Sequence, residues 1–182
     1  MRVDLFCLCA ALLISSCGFS AGRYAVSADN VAALRLLEGT FVRIGPFTAT
    51  NAGQHSVNCR GTGRIQTSDG EPLSEFVRKG FVDELRAANV YSETDGVTIT
   101  GNLDSIDVST TRGLWDLAMT VRSSNGTSMS AQESFTFPPA FVGDTACIGA
   151  AQALTPAVQN LIGKIVRSQG FTNLVSQQDQ RL

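Results

Sequence analysis

The apolar positions of LWDLAMTV fall at every second residue, Trp115, Leu117, Met119 and Val121, and MSAQESFTF repeats the pattern with Met129, Ala131, Phe135 and Phe137. Alternation of this kind gives an extended chain one apolar and one polar face, which predicts two strands. In GVTITGNLDSIDVSTT the phase changes: Val97, Ile99 and Leu103 are odd-numbered, Ile106 and Val108 even-numbered. One extra residue in a bulge near Asp104-Ser105 restores a single buried face, so this stretch is a third strand. The linker SSNGT sets the register of the pair that follows. A two-residue Asn125-Gly126 turn places Val121 beside Ser130. A three-residue loop, Ser124-Asn125-Gly126 with Gly126 left-handed, pairs Val121 with Met129 and Trp115 with Phe135, and is the one expected. By the same logic TTRG forms a loop that brings Val108 opposite Trp115 and Ile106 opposite Leu117.

The period changes in PLSEFVRKGFVDELRAAN. Val77, Phe81, Leu85 and Ala88 recur at helical spacing, Pro72 suits the first turn, and Asn89 suits the left-handed closing position. Arg78, Lys79, Asp83 and Arg86 then face water, and Arg78, Lys79 and Arg86 form a candidate partner surface. NVAALRLLEG reads as a short helix capped by Ser27 or Asp29, with Val31, Leu34 and Leu37 on one side and Gly39 as the stop. TFVRIGPFTAT reads as a first strand bent at Gly45-Pro46. Residues 51–70 read as a loop with Cys59 inside it.

After Pro138-Pro139, Asp144 or Thr145 caps a helix whose stripe runs through Ile148, Ala151 and Leu154. Thr155-Pro156 either kinks that helix or opens a second, and Val158, Leu161, Ile162 and Ile165 continue the stripe. Lys164 and Arg167 suit the carboxyl-terminal end of the dipole, and Gly170 is the expected stop. The order strand, helix, three antiparallel strands, helix predicts an α+β fold: a mixed or antiparallel sheet of about four strands with two main helices packed on one face.

The amino terminus carries a different pattern. An uninterrupted apolar run from Leu5 to Ile14 is about ten residues long, half the ~20 that a membrane-spanning helix needs, and reads as a secretory signal. The residues that end it, Ile14-Ser15-Ser16-Cys17, resemble a bacterial lipobox. That resemblance implies a Cys17 lipidated on sulfur as the mature amino terminus. Gly18 stands where an aspartate often retains such proteins in the inner membrane, which implies an outer-membrane anchor facing the periplasm. The expected organisation is a signal peptide over 1–16, a lipidated terminus and tether over 17–28, a single domain over 29–175 and a flexible tail over 176–182. The element order resembles the amino-terminal domain of TolB and related envelope lipoproteins, including the curli-secretion lipoprotein and peptidoglycan-synthase activators. It implies a fold and an envelope setting without a diagnostic motif for any one activity.

With 43% hydrophobic and 16% charged residues and a net charge of −2, the chain is neither a basic nucleic-acid binder nor an acidic disordered tail. Its five cysteines divide along the same boundary. Cys7 and Cys9 leave with the signal and Cys17 carries lipid, so Cys59 and Cys147 are the expected disulfide pair in an oxidising compartment. A bridge closing a loop of that length contributes about 4–5 kcal/mol in the chain-entropy description.

Chemistry is sparse. His55 is the single histidine, in the polar stretch NAGQHSVNC, and no nucleophile motif accompanies it. Asp69, Glu71, Asp83, Glu84 and Asp95 are accounted for by helix and loop positions. RGTGRIQ, residues 60–66, lacks the ending of a phosphate-binding loop, and Asp104 and Asp107 fit a strand better than a calcium loop. Glu133 stands out because it shares the apolar face of Ala131 and Phe135; it reads first as a sheet-edge carboxylate reaching water, and otherwise as the partner of a basic residue at the core edge or the mark of a groove. No cofactor or metal is expected. The functional expectation is a non-catalytic outer-membrane lipoprotein that binds or stabilises an envelope protein or peptidoglycan-associated component. The alternative is a small periplasmic enzyme with a dispersed site built from His55, Glu133 and nearby carboxylates.

Overall fold

The computed structural model describes residues 18–37 and 39–176. The signal segment, Cys17 and residues 177–182 lie outside the described residues. The described residues fold as α+β, with a four-stranded and a three-stranded sheet and four helices.

The larger sheet has strand β2 (Val42–Ala49) at one edge, then β5 (Val97–Ser109), β6 (Leu114–Ser123) and β7 (Ser128–Thr136). Its registers follow from side-chain alternation and turn chemistry. Val121 pairs with Met129 and Trp115 with Phe135 across β6 and β7. Val108 pairs with Trp115 and Ile106 with Leu117 across β5 and β6, and the β5 bulge falls between Leu103 and Ser105. Gly126 takes φ +90° in the β6–β7 loop, the left-handed conformation that the three-residue connection requires. β2 runs parallel to β5, with a register shift between Ile44 and Phe47 around Gly45-Pro46. A parallel pair needs a crossover. Helix α2 (Leu73–Ala87) supplies it and packs on β2 and β5, while α3 (Gly143–Val166) packs on β6 and β7. Trp115 is fully buried and its indole donates to the α3 carbonyl of Ala150 at 2.9 Å, which satisfies the polar atom of the largest core side chain.

The second sheet departs from expectation. Residues 51–70, read as a loop, contain β3 (Ser56–Cys59) and β4 (Gly63–Gln66), an antiparallel hairpin. Each strand is too short for alternation to register, with only Cys59 and Ile65 buried. The turn between them places Arg60 at φ +50° and Gly61 at φ +70°. Residues 18–28, expected as part of a tether, are built into the domain instead. β1 (Gly18–Ser20) adds to β4 in parallel, with Gly18 opposite Arg64. Ala21 is buried, the Thr155 hydroxyl donates to the Gly22 carbonyl at 3.0 Å, and Gln159 reaches the carbonyl of Ala25. Cys59 and Cys147 are disulfide-bonded with Cα atoms 5.9 Å apart, tying β3 to the first turns of α3.

The first helix starts at one of its two expected caps, and the carboxyl-terminal helices depart from expectation. Ser27 caps α1 (Ala28–Arg35), its side chain accepting from the Asn30 amide. α3 begins after Val142 with no side-chain cap, in place of Asp144 or Thr145, and continues unbroken through Pro156. Ile148, expected on the buried stripe, is 49% exposed because Ala146, Cys147 and Ala150 take the inward positions of that turn. Gly170 does not end the helical structure: Ser168 caps a further helix, α4 (Gln169–Val175), which buries Phe171, Leu174 and Val175. Among the described residues no helix is long and apolar enough to cross a membrane.

Candidate functional site

The most connected polar cluster lies where the amino-terminal segment crosses α2. Glu84 is fully buried, and its Oε1 accepts from the Tyr24 hydroxyl at 2.8 Å, the Ser27 amide at 2.8 Å and the Asn30 side-chain amide at 3.3 Å. Asn30 also donates to the carbonyl of Gln159 at 2.9 Å, so α1, α2 and α3 share the cluster. The Tyr24 ring lies over Gly80, where a Cβ atom would stand 2.7 Å from the ring. Burial, reinforced by the negative charge and hydrogen bond of Glu84, pushes the Tyr24 phenol well above its ordinary range. The cluster fastens residues 24–30 to the helical layer. From the sequence, Glu84 is accounted for by its helix position alone, with no buried role. The signal was present: position 84 is seven residues after Val77 and three after Phe81, on the buried face of α2.

A polar cleft of about 580 Å³ opens between the β3–β4 hairpin and β5, with Gln54, His55, Asn58, Arg64, Asp104 and Asp107 among its walls. His55 Nδ1 lies 2.8 Å from the carbonyl of Gly70, an interaction that fixes the ring of this exposed residue. Asp104 accepts from Asn102 at 2.6 Å and Thr120 at 2.7 Å, so both of its oxygens are engaged within the sheet. No hydroxyl or thiol is hydrogen-bonded to His55 among the described residues. The cleft is a recessed polar surface.

Glu133 is placed elsewhere. It is 6% exposed, and its carboxylate meets Lys164 at 2.8 Å and Asn160 at 3.3 Å, both from α3. The structure therefore realises the core-edge ion pair in place of the expected carboxylate reaching water, because α3 covers this face of β7, and it does not bring Glu133 together with His55. The basic residues of α2 also have carboxylate partners. Arg78 binds Glu75 through two bonds of 2.7 Å, which lowers the Glu75 pKa and raises that of Arg78, chiefly through the hydrogen bonds. Lys79 pairs with Glu71, whose hydrogen bond raises the lysine pKa. Arg86 stacks 4.8 Å over the Tyr91 ring and reaches Glu93 at 3.7 Å. Lys79 and Arg86 remain about half exposed, at 48% and 56% for their side chains. Among the described residues no group of three or more His, Cys, Asp or Glu side chains is placed to hold a metal ion.

No protein-family model matches the chain, and no curated protein does. Among solved structures, a DUF330 protein from Xanthomonas campestris aligns with a TM-score of 0.52 at 12% identity, over 82% of this chain and 94% of its own. A lipoprotein candidate from Caulobacter crescentus aligns at 12% identity over 80% of this chain and 96% of its own, with a TM-score of 0.40. The first is similar to this chain in fold; the second is too different in geometry to bear on the argument.

Proposed function

We propose that this chain is a non-catalytic lipoprotein of the bacterial outer membrane, anchored through Cys17 and facing the periplasm, where it binds or stabilises another envelope component. The observation that carries the reading is Ile14-Ser15-Ser16-Cys17 closing an apolar run too short to span a bilayer. The Cys59–Cys147 bridge supports an oxidising compartment, since disulfides persist there and are rare in the cytosol. Separate engagement of His55 and Glu133 supports a binding role over a dispersed active site. The half-exposed Lys79 and Arg86, with the cleft beside His55, are the surfaces proposed for partner contact.

The test of the anchor is metabolic lipid labelling with membrane fractionation of the native chain and its Cys17→Ser variant. Loss of label and of membrane association in the variant is expected, and unchanged labelling removes the reading. For the partner, envelope crosslinking of the lipidated protein is compared with Lys79→Glu/Arg86→Glu. A protein or peptidoglycan adduct that disappears in the double variant is the expected result.

A further inference from the structure

Three elements meet at one end of the molecule. The first is the start of the described chain. Gly18 pairs with Arg64, one residue into β4 and next to the Arg60–Thr62 turn. The second is the opening of α3, held against that turn by the Cys59–Cys147 bridge. The third is the segment before α3, whose Ala140 and Phe141 carbonyls accept from the Arg60 guanidinium at 2.8 and 2.9 Å. The course of the chain along α3 gives the same placement independently. Gly22 is bonded to Thr155, and four extended residues back from it cover about 13 Å, or roughly nine helical residues, which sets Gly18 level with the first turns of α3.

This end carries apolar side chains that nothing among the described residues covers. Phe141 is 103% exposed, Val142 67% and Ile148 49%, three of the six large apolar side chains exposed among the described residues. Phe141 and Val142 immediately precede α3, and Ile148 lies in its second turn. Arg60 holds the backbone of Ala140 and Phe141, so the exposed ring stands on a clamped segment. Arg64 is exposed beside Gly18, and Arg112 is exposed in the β5–β6 loop; Asp144 offsets part of this charge.

Resting on the lipoprotein reading above, we infer that Phe141, Val142 and Ile148 form a membrane-seating surface that enters the leaflet carrying the Cys17 lipid. One peptide separates Cys17 from Gly18, so the lipidated residue has its Cα about 3.8 Å from a residue fixed in the small sheet. The segment once expected to space the domain from the bilayer is folded into the domain. Attachment at that point holds this end against the headgroups. Apolar side chains flanked by arginines suit that layer, where such groups seat about 5–10 Å into the headgroup and acyl boundary. The lipid then supplies attachment and the three side chains supply orientation.

The experiment uses the full-length lipidated protein in vesicles of phosphatidylethanolamine and phosphatidylglycerol. An environment-sensitive fluorophore is attached at Phe141→Cys, at Ile148→Cys and, as the distal control near the β6–β7 loop, at Ser128→Cys. A lipid bearing a quencher high on its acyl chain is then added. Emission is expected to be blue-shifted and lost at positions 141 and 148 and retained at 128. If the protein is acylated by mass and floats with the vesicles, yet 141 and 148 respond like 128, the inference is overturned and the lipoprotein reading stands. If acyl mass and flotation are both absent, the reading falls and takes the inference with it. Capture of a protein by a photocrosslinker at 141 in the intact envelope, with no adduct to lipid, assigns the surface to a protein and also overturns the inference.

Discussion

The Tyr24 hydroxyl donates to Glu84 Oε1 at 2.8 Å across 60 residues of sequence. This bond joins the segment that leaves β1 to the interior face of α2, and the Ser27 amide and Asn30 side chain converge on the same oxygen. The amino-terminal segment is therefore held by a buried polar anchor as well as by β pairing. A hydrogen bond to a charged group contributes about 1.5–3 kcal/mol, so Tyr24→Phe is expected to destabilise by about 1–2 kcal/mol at this half-buried phenol. Urea unfolding of the two proteins measures it.

The same contact has a pH dependence. Burial and the Glu84 carboxylate raise the Tyr24 pKa in the folded state, whereas in the unfolded chain the phenol titrates near ~10. Below that pH the phenol is neutral in both states and its contribution is fully present. Above it the unfolded state ionises while the folded state resists, and stability is lost as pH rises. Thermal unfolding of the wild type is expected to fall more steeply above about pH 10 than that of Tyr24→Phe. Parallel curves for the two proteins would discount the assignment.

Gly80 lies inside α2, where alanine ordinarily stabilises by about 1 kcal/mol. Here a Cβ would stand 2.7–2.9 Å from the Tyr24 ring. Gly80→Ala is expected to destabilise by about 1–2 kcal/mol, because the ring must move and its hydroxyl leave Glu84. In a Tyr24→Ala background the same substitution becomes neutral or stabilising. A double-mutant cycle by chemical denaturation reads the coupling.

Cys59 and Cys147 are separated by 88 residues. In the loop-entropy description their bridge contributes about 4–5 kcal/mol, and Cys59→Ser/Cys147→Ser is expected to lose most of it. Intact mass of the mature protein under non-reducing alkylation is expected to show neither thiol modified. Alkylation of both without reductant contradicts the bridge.

Two basic residues separate surface from core-edge ion pairs. Arg86→Ala removes a contact exposed on both sides and is expected to change stability by less than about 1 kcal/mol. Lys164→Ala leaves the buried Glu133 carboxylate with Asn160 alone, and is expected to cost about 1–2 kcal/mol, reduced from the fully buried case by the exposure of Lys164. Thermal unfolding of both variants in one buffer makes the comparison. Equal losses would contradict the distinction.

Alternation and turn chemistry in the sequence determined the registers of β5, β6 and β7, the bulge after Leu103 and the limits of α2, because each depends on residues close along the chain. The Cys59–Cys147 pairing was legible through elimination among five cysteines. Tertiary structure decided the remainder. β1, β3 and β4 are too short to carry a period, and they exist as strands because they meet one another and α3. Glu84 is buried because donors arrive from Tyr24, Ser27 and Asn30, and Glu133 is paired because α3 brings Lys164 to it. The lipobox-like residues carry the proposal of a lipid at Cys17. That Gly18 beside them is already in a sheet, on the same end as Phe141 and Val142, is a property of non-local pairing, which no local pattern encodes.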